Sequence, residues 1–557
     1  MSSDTHILRM ASVAGLLMGV CACGGGSSNS SPPDQGNNTP PPPPQVVLDP
    51  QYTATAATPF VAGCERGGLG GTNFANAEVE PHFSADPSNP QRFYGAWQQD
   101  RWSTGGASGV AIGVSNDGGR SWSQRYPAFS RCAGGNAANG GDYERASDPW
   151  VTVSADGVAH AIVIAFNGAA LAPGSLSSVL VSRSLDAGNT WSTPTTLVRE
   201  GGDAFHDKQT MTADPFDARF VYAVWDRISS ANTGPTWFAR SVDGGASWEP
   251  ARPIFDPGVN RQTLGNIIVV LPNGTLVNVY SQIDAVNSGI NAYLDLIRST
   301  DNGQTWSPPI RINQQVSVGT VDPETGVRVR DGSLVPSIAV KPDGGLVVAW
   351  QDSRFSQGAR DAILVSHSDD GGFTWSAPVR ASAGANVAAF LPVLHVRNDG
   401  MVGMTYYDLR GNTNDRNTLL ASVWLTRSTD AVTWRESQVA AAFDLDTAPL
   451  AAAGNASGYF VGDYHGLSSS GLVFIPFFAR TTANAANRTD IFAAPAISAT
   501  QTVAALAAEI RAQPEPKIEP EPALHMTAEL SRRVSENIAG VMKIKSPTRP
   551  PLRRRRV

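Results

Sequence analysis

Four near-copies of one short pattern place an arginine just past an aromatic residue and an aspartate. They are Trp97-Gln-Gln-Asp100-Arg101, Trp225-Asp226-Arg227, Trp350-Gln-Asp352-Ser-Arg354 and Tyr407-Asp408-Leu-Arg410. A guanidinium grips a carboxylate through two parallel hydrogen bonds. Arg101, Arg227, Arg354 and Arg410 gathered at one mouth would therefore suit an acidic ligand such as a carboxylated sugar. A repeating pattern is also what a scaffold ion pair produces, and that reading stands beside the first. Two corresponding places lack the pattern and read Ala165-Phe-Asn and Tyr280-Ser-Gln. Residues that do not repeat are harder to explain by scaffold needs. They are Glu80 and His82, the run Asp142-Tyr143-Glu144-Arg145 with Asp148, then His206, Asp207 and Lys208. Arg261, Gln262 and Asn266 follow, and Asp463, Tyr464 and His465 come last. Any one of them is accounted for by a solvated loop or a satisfied channel residue; grouped, they define a candidate pocket.

The elements that must position these residues are set out by a second repeat. Ser115-Asn-Asp-Gly-Gly-Arg-Ser-Trp122 returns as Ser184–Trp191, Ser241–Trp248, Ser299–Trp306 and Ser368–Trp375, and in worn form as Ser428–Trp434. The Asp carboxylate accepts backbone N–H groups of a tight turn, the Gly supplies a positive φ, and the Trp folds back as an apolar plug. Around each copy lie short alternating or apolar runs. The clearest set is Pro336-Ser-Ile-Ala-Val-Lys, Leu346–Arg354, Ala362–Ser368 and Pro378-Val-Arg, which reads as four strands with the box at the last turn. First strands are expected near Pro81, Pro149, Lys208, Ile267, Pro336, Pro392 and Tyr459. The pattern is that of a β-propeller of four-stranded antiparallel blades across residues 48–497, seven blades favoured and six the alternative. The seventh module has no box and no fourth strand, so a strand within Val46–Ala57 is expected to complete it. In such a meander the boxes share one face and the arginines the other. Asp117, Asp186, Asp243, Asp301, Asp370 and Asp430 are accordingly read as structural.

Composition agrees. The 557 residues carry only 16% charged side chains, with 54 Gly, 39 Pro and 13 Trp, as many short strands joined by turns require. The net charge of −7 includes a basic end, eleven Lys/Arg against six Asp/Glu after residue 497. The acidic body gives no support for nucleic-acid binding. There is no Cys/His metal spacing, no phosphate-cradling Gly loop and no Gly-x-Ser-x-Gly elbow, so neither metal nor cofactor is expected. His6 and Arg9 precede an apolar run, Met10–Ala22, too short for a permanent span. It ends in Val20-Cys-Ala-Cys23, which resembles a bacterial lipobox. Cys23 is the expected lipidation site and Cys21 the second choice, with an ordinary cleaved signal as the alternative. Residues 1–23 thus read as a lipoprotein signal and 24–47 as a Gly/Ser/Pro-rich tether. An exported monomer is expected, an outer-membrane lipoprotein or a cell-surface or periplasmic protein, touching the membrane only through that anchor. Cys64 and Cys132 then remain, and an oxidising compartment favours their disulfide. Residues 498–557 read as a Pro/Glu spacer, one amphipathic helix within Thr527–Ile544 and a tail ending in Arg553–Arg556.

The box, its place at the turn and the four-strand modules resemble the Asp-box (BNR) β-propellers, among which the sialidases are enzymes. The resemblance spans roughly residues 75–497 and is specific for fold. It implies a glycoside hydrolase acting on a terminal, acidic sugar, with a Tyr nucleophile assisted by Glu, an Asp acid/base and three arginines on the substrate carboxylate. Glu80, Tyr143, Glu144, Asp148 and Tyr464 are the candidates for the first roles. Arg101, Arg227, Arg354, Arg410, His82, His206, Asp207 and Asp463 are the candidates for binding. The family's Arg-Ile-Pro signature is absent; Glu80-Pro-His-Phe stands in its place. A non-catalytic surface propeller binding glycan or protein is the alternative.

Overall fold

The computed structural model describes residues 51–286, 289–384, 386–452, 457–495 and 518–541. The expected signal with Cys21 and Cys23, the tether and the arginine tail lie outside the described residues. Four-stranded antiparallel meanders follow one another along the chain. The first two are Val79–Ala85, Phe93–Trp102, Ala107–Ser115, Ser123–Arg125, then Arg145–Val153, Ala159–Asn167, Leu176–Ser184, Thr195–Gly201. They are joined into one larger sheet by a single pair, Ala107 with Ala146. First strands of the later meanders are Ala204–Ala213, Arg261–Val270, Ser337–Val340 and Ala389–Val396. The last sheet has Gly466–Ser470, Val473–Asn484 and Asn487–Ala493, and its fourth strand is Tyr52–Thr53, paired Tyr52 to Ala493. That is the contribution from the N-terminal segment that the sequence predicts. The final first strand begins at Gly466, so Asp463, Tyr464 and His465 precede it rather than lie within it.

Each box does what its residue types require. In the copy at Asp370, the carboxylate accepts the Phe373 and Thr374 N–H groups at 2.9 Å each and the Thr374 hydroxyl at 2.6 Å. The Ser368 hydroxyl accepts from Gly372 N–H at 2.9 Å while donating to Asp370. Burial opposes the shift at Asp117, but its hydrogen bonds to Ser121 outweigh it and hold the carboxyl below the usual range. The box glycine has a second reason. A Cβ on Gly188 would meet Val114 at 2.6 Å, and one on Gly303 would meet Phe238 at the same distance, both in the preceding meander. The turn therefore seats directly on its neighbour's core. The worn copy keeps the carboxylate turn, with Asp430 accepting Val432 and Thr433 N–H groups at 2.8 and 2.7 Å.

The apolar cores lie between consecutive meanders. One joins Val347, Ile363 and Val365 to Met404, Tyr406 and Trp424. Another joins Phe83, Phe93 and Trp97 of the first meander to Val423 and Leu425 of the sixth and to Phe477 and Ile491 of the last sheet. First strands from every meander, through His82, Trp150, Thr210, Ile267, Ile338, Leu394 and Leu467, line one narrow cavity of about 100 Å³. Cys64 and Cys132 form a disulfide.

Candidate active site

The first strands carry a device that the sequence pattern does not announce. In five of them the ladder slips by a β-bulge, and the bulged residue has a positive φ. These residues are Glu80 (φ 53), Asp148 (φ 53), Lys208 (φ 48), Gly265 (φ 66) and Leu391 (φ 54). A left-handed conformation is uncommon for residues other than Gly, and it re-aims the side chain out of the strand's alternation. Three charged side chains are thereby turned toward one another.

Lys208 is the hub. Its ammonium lies 2.6 Å from Asp463 Oδ2, 2.8 Å from Asp148 Oδ2 and 3.3 Å from Glu80 Oε1. Arg330 makes a two-pronged contact with Asp463, with Nε at 3.0 Å from Oδ1 and Nη2 on Oδ2. Glu80 accepts the Asp463 N–H at 3.1 Å and the Gln98 amide, and Gln98 in turn accepts from Arg101 at 2.6 Å. Ser147 donates to Asp148 at 2.5 Å. Phe460 lies between two guanidiniums, with Arg101 at 4.4 Å and Arg330 at 4.7 Å from the ring centre. All three carboxylates are nearly inaccessible to solvent.

Burial, offset unevenly by pairing, sets the electrostatics. Desolvation, with the charge of Asp148 added, pushes Glu80 up to about 7. Burial would also raise Asp148, but the Lys208 ammonium outweighs it and holds that carboxyl below the usual range. Asp463 is depressed further, because Arg330 and Lys208 together overcome its desolvation. Burial and the charge of Arg330 bring Arg101 down to about 10. Glu80 accepts from Lys208, the Gln98 amide and the Asp463 N–H, while the Asp148 and Asp463 carboxylates oppose its charge. In formal charge Lys208, Arg101 and Arg330 face Glu80, Asp148, Asp207 and Asp463, three against four, and a proton on Glu80 makes the two sides equal.

Arg101, Asp148, Asp207, Lys208, Arg330 and Asp463 open into a cavity of about 430 Å³, whose other walls include Ile164, Phe166, Phe205, Leu264 and Leu334. The chemistry available is acid–base exchange at buried carboxyls beside a guanidinium pair suited to an anion.

The predicted site residues divide sharply. Glu80, Asp148, Asp463, Asp207 and Arg101 are brought together, as Lys208 is. The expectation that four arginines converge is not met. Arg354 and Arg410 sit two residues beyond an aspartate, on its side of the chain, and turn back onto it: Arg354 Nε lies 2.9 Å from Asp352, and Arg410 Nε binds Asp408. Arg227 forms a fork on Glu200 at 2.6 and 2.8 Å. His206 Nε2 lies 3.0 Å from Glu200, and its Nδ1 accepts from Trp225, so it belongs to that same scaffold cluster. Tyr143 and Glu144 are also held structurally. The Tyr143 hydroxyl meets Ser178 at 2.7 Å, and Glu144 accepts Leu69 and Gly168 N–H groups. Tyr464 donates to Pro149 O at 2.9 Å rather than to Glu80, and lines the narrow cavity instead. His82 stacks on Trp150 at 3.5 Å, with burial bringing it down to about 3. The residue that sequence reasoning missed is Arg330. Its signal was present in the long, charged connection before Pro336, which no repeat explains.

A family model described as BNR/Asp-box repeat matches residues 297–308, the box ending in Trp306. No curated protein matches the chain in sequence. Among solved structures the chain is similar to a Hadza microbial sialidase, at 18% identity and a TM-score of 0.39, covering 60% of this chain and 64% of that one. It therefore spans less than two thirds of that sialidase's length. An α-L-arabinanase of Penicillium chrysogenum shows 11% identity and a TM-score of 0.42, covering 82% of this chain and 99% of that one. An α-L-arabinofuranosidase of Fusarium graminearum shows 13% identity and a TM-score of 0.40, covering 61% and 93%. The chain carries Asp-box (BNR) repeats, one of them matched by the family model, on four-stranded antiparallel sheets.

Proposed function

We propose that the protein is a sialidase-like glycoside hydrolase that removes a terminal acidic sugar from glycans. Its meanders form the seven blades of one ring, closed by the Tyr52–Thr53 strand, which would leave no exposed sheet edge. It is exported and held as a monomer at the bacterial outer membrane through lipidated Cys23. One observation carries the reading: two guanidiniums and three carboxylates share a single cavity, backed by a carboxyl poised near neutrality. Arg101 and Arg330 hold the sugar carboxylate. Asp463, kept ionised, faces the positive charge that develops at the anomeric carbon. Asp148, ionised on the cavity wall, takes a proton from the water that attacks the anomeric carbon, while the leaving oxygen takes up a proton as its bond to that carbon breaks; Glu80 lies behind, across the Lys208 ammonium. A carboxylate pair is the usual requirement of glycoside hydrolysis.

A second reading is favoured by the completeness of the pairing. Asp148 and Asp463 are already neutralised by Lys208 and Arg330, as a rigid, non-catalytic glycan-binding site would have them. Incubating the protein with a panel of neutral and acidic oligosaccharides separates the two. Release of a terminal acidic monosaccharide is the expected result; saturable binding with no turnover on any substrate would replace hydrolysis by binding.

A further inference from the structure

The C-terminal segment is seated on the face that holds the cavity. Glu519 pairs with Arg380 at 2.8 Å and Glu521 with Arg354 at 2.7 Å. The helix Ala528–Val541 then buries Leu530, Val534 and Ile538 against Leu264, Ile290, Val316 and Leu334. A merely adhering amphipathic helix would keep its polar side chains in water. Here Asn537 is buried, donates to Ser317 and Ser333 hydroxyls at 3.1 Å each, and accepts from Arg328 at 2.9 Å. Gly319 and Gly358 leave room for it, since a Cβ at either would strike Asn537 or Leu530 at 2.3 or 2.4 Å. The last turn, Ala539, Gly540 and Val541, lines the same cavity as Arg330 and Lys208.

We infer that residues 518–541 are a built-in wall of the pocket that limits it to a single terminal sugar. A chain enters by its terminal residue alone, and its further residues find no seat because the helix occupies the side along which a second one would lie. The ligand class here rests on the function proposed above, whereas the wall does not. The cavity is flanked by Leu264 and Leu334, which the helix buries, so releasing it opens the cavity toward the fourth meander.

Ile538→Asp and Asn537→Ala in the full chain unseat the helix by two independent routes, one apolar and one polar. Hydroxyl-radical footprinting reads the wall without any ligand. Leu264 and Leu334, at 4% and 0% exposure, are expected to be oxidised at least threefold faster in both variants. Unchanged rates in both would overturn the wall. Calorimetry then compares N-acetylneuraminic acid with its α2,8-linked tetramer. The two should bind the native protein within about twofold of each other, and the tetramer should gain at least tenfold in the variants. An unchanged ratio in variants whose footprint has opened would overturn the size limit. An opened footprint with no binding of either sugar by any form would uphold the wall and reject the acidic-sugar reading.

Discussion

Replacing Lys208 by Met keeps the buried stem and deletes the charge that three carboxylates share. The ammonium is within 3.3 Å of Glu80, Asp148 and Asp463, and the side chain is only 8% exposed. Its removal leaves those carboxylates facing Arg330 and Arg101 alone. Removing one partner of a buried ion pair costs about 3–5 kcal/mol, because the remaining charge is left uncompensated. One cation serving three anions places the expected loss toward 5 kcal/mol at pH 8. The loss must also depend on pH. Glu80 is already raised to about 7 with Lys208 present, and it rises further without it. A carboxyl whose folded value exceeds its unfolded one loses stability as pH climbs through that window. The variant therefore recovers more than the native protein on acidification, and the gap should narrow by roughly 1 kcal/mol from pH 8 to pH 6. Urea unfolding followed by tryptophan fluorescence at the two pH values measures both quantities. A loss below about 1 kcal/mol at pH 8, or one independent of pH, would refute a tightly desolvated cluster.

Glu80→Gln removes the titration itself. Relative to the native protein it should gain roughly 3 kcal/mol between pH 4 and pH 8, on top of a constant offset from its altered hydrogen bonds, as read by urea midpoints. Asp370→Ala deletes several turn hydrogen bonds on a largely exposed box. It should cost about 1–2 kcal/mol while leaving any sugar binding unchanged in calorimetry. Reducing the Cys64–Cys132 disulfide, or replacing both residues with Ser, opens a connection of 68 residues. A loss of about 4 kcal/mol in thermal or urea unfolding is expected on chain-entropy grounds. Arg330→Ala and Arg101→Ala should each weaken N-acetylneuraminic acid at least tenfold, whereas Arg227→Ala, spent on Glu200, should not.

The architecture was legible because it is written many times over. A turn that needs Asp, Gly and Trp at fixed spacing leaves a period in the chain, and the strands between fall into alternation. The strand supplied by the N-terminal segment was also readable, since the last module lacked its fourth strand. The site was less so. Position in the repeat placed Glu80, Asp148, Arg101 and Asp463 on the right face, but pairing across the fold chose among the rest. Which arginine reaches the cavity depends on the acceptor each meets: Asp352 takes Arg354, Asp408 and Glu436 take Arg410, and Glu200 takes Arg227. Arg101 meets Gln98 and stays on the cavity wall. The bulges at Glu80, Asp148 and Lys208 have no local signature, because a positive φ in a strand is imposed by neighbours rather than by residue type. The contact of the C-terminal helix with the cavity is likewise invisible in sequence, although its apolar stripe at Leu530, Val534 and Ile538 is plain.

The most direct measurement is the release of 4-methylumbelliferone from its N-acetylneuraminic acid glycoside by the native protein and by Asp148→Asn. Turnover by the native protein, reduced on the order of 100-fold or more in the variant, is expected of a cavity-wall acid/base. No release by the native protein, or equal release by both, would contradict catalysis at this cluster.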